Sequence, residues 1–243
     1  MGQERGSARR FASLIALGCL LGAATAAGTA IVSAPPAVPA DCGSGHANVE
    51  GQSPASHYGN FAYIYVNTSN VIDSLHDALY RSIFIYVNAD NDVEIGWGAG
   101  PNSVTGSGST PTVYAYWFNR GTPGQKIHVS LSDNTNRGFT VQNVGHVEIF
   151  QFFFDGESSP FAYSPTMNFD TGTPLSNSER YNYCDSLYTH IYNLAYLTGS
   201  GSWSSDWGNW YCANNTSMRN KYYLHKNSDS DLDVTSSSSG SIC

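Results

Sequence analysis

The sequence predicts an all-β fold: a β-sandwich or jelly roll of about ten short antiparallel strands, with at most one or two short helices. Apolar residues recur at every second position in short runs, the period at which side chains alternate between the two faces of a strand. The segments between the runs are rich in Gly, Asn, Asp and Pro, residues that suit turns or stop a sheet ladder. Charged residues make up only 12% of the chain, which is typical of extracellular β-proteins.

The segment Lys126–Leu131 shows the pattern most clearly. Its Ile, Val and Leu side chains are expected to face a core, and the alternating Lys, His and Ser side chains to face water. The same reasoning predicts strands at Phe61–Val66, Ser82–Val87, Val93–Trp97, Val113–Phe118, Lys126–Leu131, Phe139–Val144, Val147–Phe154, Phe161–Met167, Tyr188–Leu197 and Lys221–Leu224.

Two segments also fit a helix. Apolar residues in Ile72–Ile83 follow a candidate cap at Asn70 at helical spacing, and those in Leu187–Leu194 follow Asp185 in the same way. Tyr and Ile are equally suited to strands, so both assignments stay open at this point.

The N-terminal residues 1–40 resemble a cleavable export signal. Three arginines precede the uncharged run Phe11–Val32, and Val38-Pro39-Ala40 offers the small residues that signal peptidase requires. We therefore expect a secreted protein that begins at Asp41, with no membrane association after cleavage. A retained anchor, a twin-arginine route and a lipoprotein box at Cys19 are the alternatives.

After this signal, the sequence predicts three further regions. Residues 41–59 are rich in Gly, Ser and Asn and are expected to form a flexible arm, and residues 60–226 to form the sandwich. Residues 227–243 are a Ser/Asp-rich tail, expected to be too polar to pack and to be anchored by its last cysteine.

Four cysteines remain after the signal, an even number that implies disulfides in an exported chain. Three pairings are open, and we favour the local pair Cys184–Cys212 together with Cys42–Cys243, which would join the termini. No C-x-x-C spacing occurs, so a zinc cluster is not expected.

The formal net charge of −8 argues against nucleic acid and anionic membranes as partners, because both need a basic surface. No nucleotide, zinc-protease or nucleophile-elbow motif occurs, so we expect no cofactor and no metal. Asp229, Asp231 and Asp233 alternate as calcium ligands can, but they lack the glycine and distal glutamate of a calcium loop.

Glu94 and Glu148 are the candidate catalytic residues. Each lies in a Val-Glu-Ile triplet within a predicted strand, and two carboxyl groups on one sheet face are what a retaining glycoside hydrolase needs. Val93, Ile95 and Trp97 are expected to face the core, so Glu94 should point to the opposite face. The alternative for both is an ordinary structural glutamate.

Trp203, Trp207, Trp210 and Tyr211 are the candidate ligand-binding residues. The three tryptophans are four and three residues apart, so they would share one face of a helical turn. Flat aromatic rings suit stacking on sugars. The alternative is a small core packed around the Cys184–Cys212 bridge.

Three stretches carry a resemblance to a known group. They are Val93–Trp97, Phe152–Gly156, and Ser176–Tyr181 followed by Cys184-Asp185-Ser186. They resemble a group of small exported bacterial proteins with a concanavalin A-like lectin/glucanase core. The resemblance implies a jelly-roll fold but transfers no catalytic residue, because the acidic cluster E-x-D-x-x-E of the glucanases is absent from the sequence.

The sequence therefore favours a non-catalytic extracellular protein that binds a glycan or cell-wall polymer. The first alternative is a small polysaccharide hydrolase using Glu94 and Glu148. The second is a structural or interaction protein of the cell surface. Paired carboxyl groups in a groove would favour the enzyme, and an exposed aromatic strip would favour the binding protein.

Overall fold

The computed structural model describes residues 44–67, 78–101, 103–106, 108–182, 188–205, 211–214 and 222–236. This part of the chain contains strands and no helix, so it also has no helix long and apolar enough to span a membrane. The strands are β1 (Ser44–Gln52), β2 (Gly59–Val66), β3 (Leu79–Asn88), β4 (Asn91–Ala99), β5 (Thr112–Asn119), β6 (Thr122–Ser130), β7 (Thr135–Gln142), β8 (Gln151–Phe154), β9 (Ala162–Tyr163), β10 (Thr173–Asn182), β11 (Thr189–Leu197), β12 (Trp203–Ser204), β13 (Tyr211–Asn214), β14 (Tyr222–Ser228) and β15 (Asp231–Ser236).

The strands form two antiparallel sheets. The seven-stranded sheet has the order β13-β1-β10-β3-β4-β5-β6, and the second sheet has the order β14-β15-β11-β2-β7-β8-β9, with β12 paired to β11. We call the second sheet the eight-stranded sheet. Sequence neighbours such as β3, β4 and β5 pair directly, whereas β10 crosses over to lie between β1 and β3. The all-β sandwich predicted from the sequence is confirmed.

The apolar core lies between the two sheets and follows the period of two. Side chains that alternate along β3 and β4 enter it from one sheet, and side chains from β2 and β7 enter it from the other. Fully buried members include Ile83, Ile85, Val93, Ile95, Trp97, Ala62, Ile64, Phe139 and Val141. Burying these side chains supplies the main driving force for folding.

One buried amide joins the sheets through their backbones. Asn60, on β2, is completely buried, and its Nδ2 donates hydrogen bonds to the carbonyl oxygens of Phe84 (2.9 Å) and Leu175 (2.8 Å) in the other sheet. Because buried N–H groups need acceptors, these two bonds also fix how β2 sits against β3 and β10.

Two segments expected to be loose are strands. Ser44–Gln52, inside the predicted arm, forms β1 and pairs with both β10 and β13. Asp231–Ser236, inside the predicted tail, forms β15, in which Leu232 and Val234 are buried. The aspartates of the tail thus alternate because every second side chain of the strand is buried. Composition alone does not reveal so short and polar a strand.

Three other expectations at the level of strands need correction. Ile191 and Leu194 lie in strand β11, so the helical alternative for that segment is wrong. In Lys126–Leu131, Val129 is 41% exposed because β6 is an edge strand, and Ile127 packs on the face of the sheet that points away from the core. The predicted strand Val93–Trp97 is too short, because β4 continues through Gly98 to Ala99.

Gly96, in the middle of β4, tests how tightly the central strands pack. A Cβ added at Gly96 would overlap the backbone oxygen of Arg81, whereas at Gly138 on β7 the nearest atom is Tyr63 Cε1 at 3.4 Å, an ordinary contact. We expect Gly96→Ala to lower the free energy of unfolding by about 1–3 kcal/mol, the usual cost of overpacking. Urea denaturation measures this, with Gly138→Ala as the matched control. An equal and small effect of both substitutions would contradict the packing described here.

Candidate functional site

The seven-stranded sheet is buried on both faces in its centre. Strand β4 is buried at every position from Asn91 to Ala99, and β3 from Leu79 to Ile85. One face carries the apolar core. The other face carries polar and aromatic side chains from β3, β4, β5 and β10, and we call it the polar face: Tyr80, Ser82, Phe84, Asp92, Glu94, Tyr114, Asn177 and Glu179.

Glu94 projects from β4 into the polar face, as the alternation of Val93, Ile95 and Trp97 predicted. It is only 4% exposed, and its Oε1 accepts a hydrogen bond of 2.5 Å from the Tyr114 hydroxyl. Burial raises the pKa of Tyr114 well above its ordinary value, and the negative charge of Glu94 raises it further. Tyr114 therefore remains a neutral hydrogen-bond donor to the carboxylate over the whole physiological range.

Glu179 projects from β10 into the same face and is 2% exposed. The Asn177 Nδ2 donates to its Oε2 at 3.2 Å. Its backbone carbonyl accepts a hydrogen bond of 3.1 Å from Arg81 Nη1, which approaches from the core side of β3. The side chain and the backbone of Glu179 are thus both held, so its position is set by two strands.

Tyr80 interacts with both carboxyl groups through their charges. It stands opposite Glu179 in the β3–β10 register, and its ring makes an edge contact with Tyr114 at 5.7 Å. Burial raises the pKa of Tyr80 strongly, and the charges of Glu179 and Glu94 both add to the shift. The Tyr80 hydroxyl accepts a hydrogen bond of 2.8 Å from the backbone N–H of Val104. Two glutamates and two tyrosines therefore form one cluster.

Glu148 does not take part in this cluster. It is exposed and lies before β8, in a loop where Gly145, His146 and Glu148 all have positive φ. Left-handed backbone at these positions breaks the alternation, so the Val-Glu-Ile triplet is not a strand. Glu148 also belongs to the connection between β7 and β8 of the eight-stranded sheet, so the proposed pairing of Glu94 with Glu148 is wrong.

Among the candidate ligand-binding residues, Trp203 is the one whose side chain is described. It lies on β12, is 42% exposed and contacts Phe61 edge to face. Trp207 and Trp210 lie outside the described residues. Tyr211 and Cys212 are described by backbone alone, on β13, where Cys212 stands opposite Gly51. Cys42, Cys184 and Cys243 lie outside the described residues, so both disulfide pairings stay predictions.

Sequence reasoning missed Glu179, Tyr80 and Tyr114. Along β10, Asn177 and Glu179 alternate with Ser176 and Ser178, so both faces of the strand are polar and the period of two is invisible in hydropathy. The available signal was a glutamate at the end of the uncharged run Ser176-Asn177-Ser178. Among the described residues, no three His, Cys, Asp or Glu side chains come together as a metal site.

The comparisons with known proteins support the fold. No family model and no curated protein matches the chain. A scytalido-glutamic peptidase, solved with a peptide-based transition-state analog, matches with a TM-score of 0.57 at 8% identity over 78% of this chain and 98% of that one. SCP-B, a member of the Eqolisin family of peptidases solved with the tripeptide Ala-Ile-His, matches with a TM-score of 0.50 at 9% identity, over 80% of this chain and 98% of its own.

Carbohydrate-active proteins are also among the similar structures. The carbohydrate-binding module CBM66 from Bacillus subtilis matches with a TM-score of 0.35 at 12% identity, over 55% of this chain and 77% of that one. Glucanase and carbohydrate-binding folds are thus among the structural neighbours of the chain, at low identity. At 8–9% identity, the two peptidase matches show the fold alone.

Tyr114 gives a pH-dependent test of the cluster. Because its pKa is raised in the folded state, the unfolded chain loses this proton first as the pH rises above about 10, and stability falls from there upward. Removing the hydroxyl in Tyr114→Phe should flatten the fall by up to about 1.4 kcal/mol per pH unit, the value for one proton. Urea unfolding between neutral and strongly alkaline pH measures the slope. Tyr163→Phe, at an exposed tyrosine, should leave it unchanged, and an unchanged slope in Tyr114→Phe would contradict the buried position.

Proposed function

We propose that this protein is an exported acid hydrolase that cleaves polypeptides, with Glu94 and Glu179 as its two catalytic carboxyl groups. One observation carries the proposal. Both glutamates are buried on the same face of one sheet, and the charges of both raise the pKa of Tyr80. Buried acidic groups whose neighbours have strongly shifted pKa values are a feature of catalytic sites.

Peptide hydrolysis by two carboxyl groups needs one of them ionised and the other protonated. The ionised group takes a proton from the attacking water, and the protonated group gives one to the leaving amide nitrogen. In a water-poor site, one carboxyl group can hold its proton in acid while the other is ionised. Tyr80 is buried and stays protonated, so its hydroxyl can stabilise the oxygen that becomes negative during the attack, while the Tyr114 hydroxyl donates to the Glu94 carboxylate.

The surroundings of Tyr80 support a peptide substrate. The backbone N–H of Val104 donates to the Tyr80 hydroxyl, and the carbonyl of Val104 accepts from Gln125 Nε2 at 3.3 Å. The backbone of Val104 thus already lies beside the acid cluster, with its N–H and its carbonyl oxygen both hydrogen-bonded to side chains. An extended substrate would present the same groups there. The structures with TM-scores of 0.5 or more that we compared are peptidases, which favours a polypeptide over a polysaccharide.

A second candidate function is the one that the sequence favoured, binding of a glycan or cell-wall polymer without cleavage. The exposed indole of Trp203, beside the half-buried Phe61, favours it. This surface belongs to the eight-stranded sheet, so the two functions do not compete for the same residues.

Glu179→Gln tests the proposal most simply. The amide keeps the size of the side chain but can neither take up nor release the proton, so we expect cleavage of a denatured protein at about pH 4 to fall at least 100-fold. Glu94→Ala should cause a loss of the same order. Peptide products are measured by mass spectrometry after incubation with the purified variants.

Glu148→Gln is the matched control, because Glu148 is an exposed glutamate of the same chain and should retain full activity. Thermal unfolding shows whether each variant is folded. Cleavage that persists in folded Glu179→Gln, or the absence of cleavage by the unmodified chain throughout the acid range, would refute the proposal.

A further inference from the structure

The outward face of the eight-stranded sheet carries a continuous line of aromatic side chains. Along β2, Phe61, Tyr63 and Tyr65 are half-buried, whereas Ala62, Ile64 and Val66 between them are fully buried in the core. Tyr192 on β11 and Trp203 on β12 extend the line sideways. We call these five residues the aromatic row.

Ring contacts join the members of the row. Phe61 meets Trp203 edge to face at 6.3 Å and meets Tyr63 edge to face at 5.3 Å, and Tyr63 stacks on Tyr192 at 5.3 Å with 16° between the planes. Tyr65 continues the line toward Tyr188 at 6.2 Å. Because each ring is braced by its neighbours, the row offers a fixed set of ring faces and edges at little cost in side-chain entropy.

The Trp203 end of the row opens into a groove with a volume of about 490 Å³. Its apolar walls are Phe61, Phe153 and Trp203. Its polar groups come from the neighbouring strands and loops and include the Gln142 side chain, which donates to Gln151 at 3.3 Å. The other polar side chains of the groove are Thr140, Asn193 and Glu157. The volume is within the range of small-ligand sites, which run from about 300 to 1,000 Å³.

The chemistry of this surface matches a neutral sugar chain. Aromatic rings stack against the C–H faces of sugars, while amide and hydroxyl groups at the edge can bond their hydroxyls. The five residues of the row carry no charge, and among the residues lining the groove Glu157 supplies the charge. With a net charge of −8, the chain would repel an anionic polymer, so a neutral polysaccharide is the complementary ligand.

The aromatic row is separate from the acid cluster. Side chains at Ala62 and Ile64 point into the core, so Phe61 and Tyr63 face away from the seven-stranded sheet that holds Glu94 and Glu179. A ligand on the row would therefore not contact the acid cluster. The arrangement suits a protein that is held on a polymer by one surface while its other surface acts.

We propose that the aromatic row and its groove bind a neutral polysaccharide chain and so hold the protein on an extracellular polymer. The site rests on the second candidate function, glycan binding, and does not require hydrolysis by Glu94 and Glu179. It assigns that binding to Phe61, Tyr63 and Trp203.

Affinity gel electrophoresis tests the site, with neutral β-glucan, xylan or mannan cast in separate gels. We expect at least one of the three to retard the protein. Trp203→Ala and Tyr63→Ala should each weaken the retardation by about tenfold in dissociation constant, a typical loss for one stacked ring. Tyr163→Ala is the matched control, because Tyr163 is 56% exposed on β9 outside the row and should bind normally.

Glu179→Gln separates this proposal from the proposed hydrolase. The variant should bind the polysaccharide like the unmodified chain, whatever its activity on polypeptides. Retardation by none of the three polymers, or retardation unaffected by both Trp203→Ala and Tyr63→Ala, would overturn the site. Binding of a denatured polypeptide that is lost in Trp203→Ala, without any polysaccharide binding, would also overturn it and make the row a second peptide surface.

Discussion

The double-sided burial of the strands β10, β3, β4 and β5 is the constraint on which the rest of the structure depends. In a sheet with one solvent-exposed face, apolar and polar residues can alternate, because the polar side chains bond to water. Here the second face is also closed from water around Glu94 and Glu179, so each polar group on it needs a partner within the protein. The Tyr114 hydroxyl and the Asn177 amide meet that requirement for the two carboxyl groups.

The apolar side of the same sheet holds the cluster in place. Arg81 is completely buried, lies over the Trp97 ring at 5.8 Å and donates to the carbonyls of Tyr80 and Glu179. It therefore fixes the backbone that carries two members of the cluster. Asn60 fixes the same sheet against its partner through Phe84 and Leu175. Site geometry and core packing are thus consequences of one arrangement, and a change in either should disturb both.

The sequence predicted what depends on apolar alternation. Strands such as Phe61–Val66 and Val93–Trp97 were found because every second side chain enters the core, and the same rule gave the orientation of Glu94. It could not predict strands whose two faces are both polar, such as β10, and so it missed Glu179. It also placed Glu148 in a strand, whereas the residue lies in a loop. The positive φ of His146 and Glu148 could not be predicted from their residue types.

Two surfaces with different chemistry result from this fold. The polar face gathers acids and tyrosines in a water-poor setting, which suits proton transfer, and the aromatic row presents rigid rings to solvent, which suits adhesion. Their positions on opposite sheets allow both to act in one molecule. This division fits the proposed hydrolysis on one sheet and the proposed polymer binding on the other.

A crystal structure with a bound peptide that carries a tetrahedral transition-state mimic tests the central claim most directly. The account predicts that the tetrahedral group lies within hydrogen-bond distance of the Glu94 and Glu179 carboxyl groups, with the peptide extended across the polar face. A peptide found on the aromatic row, or a tetrahedral group that contacts neither glutamate, would contradict the assignment of the acid cluster as the catalytic site.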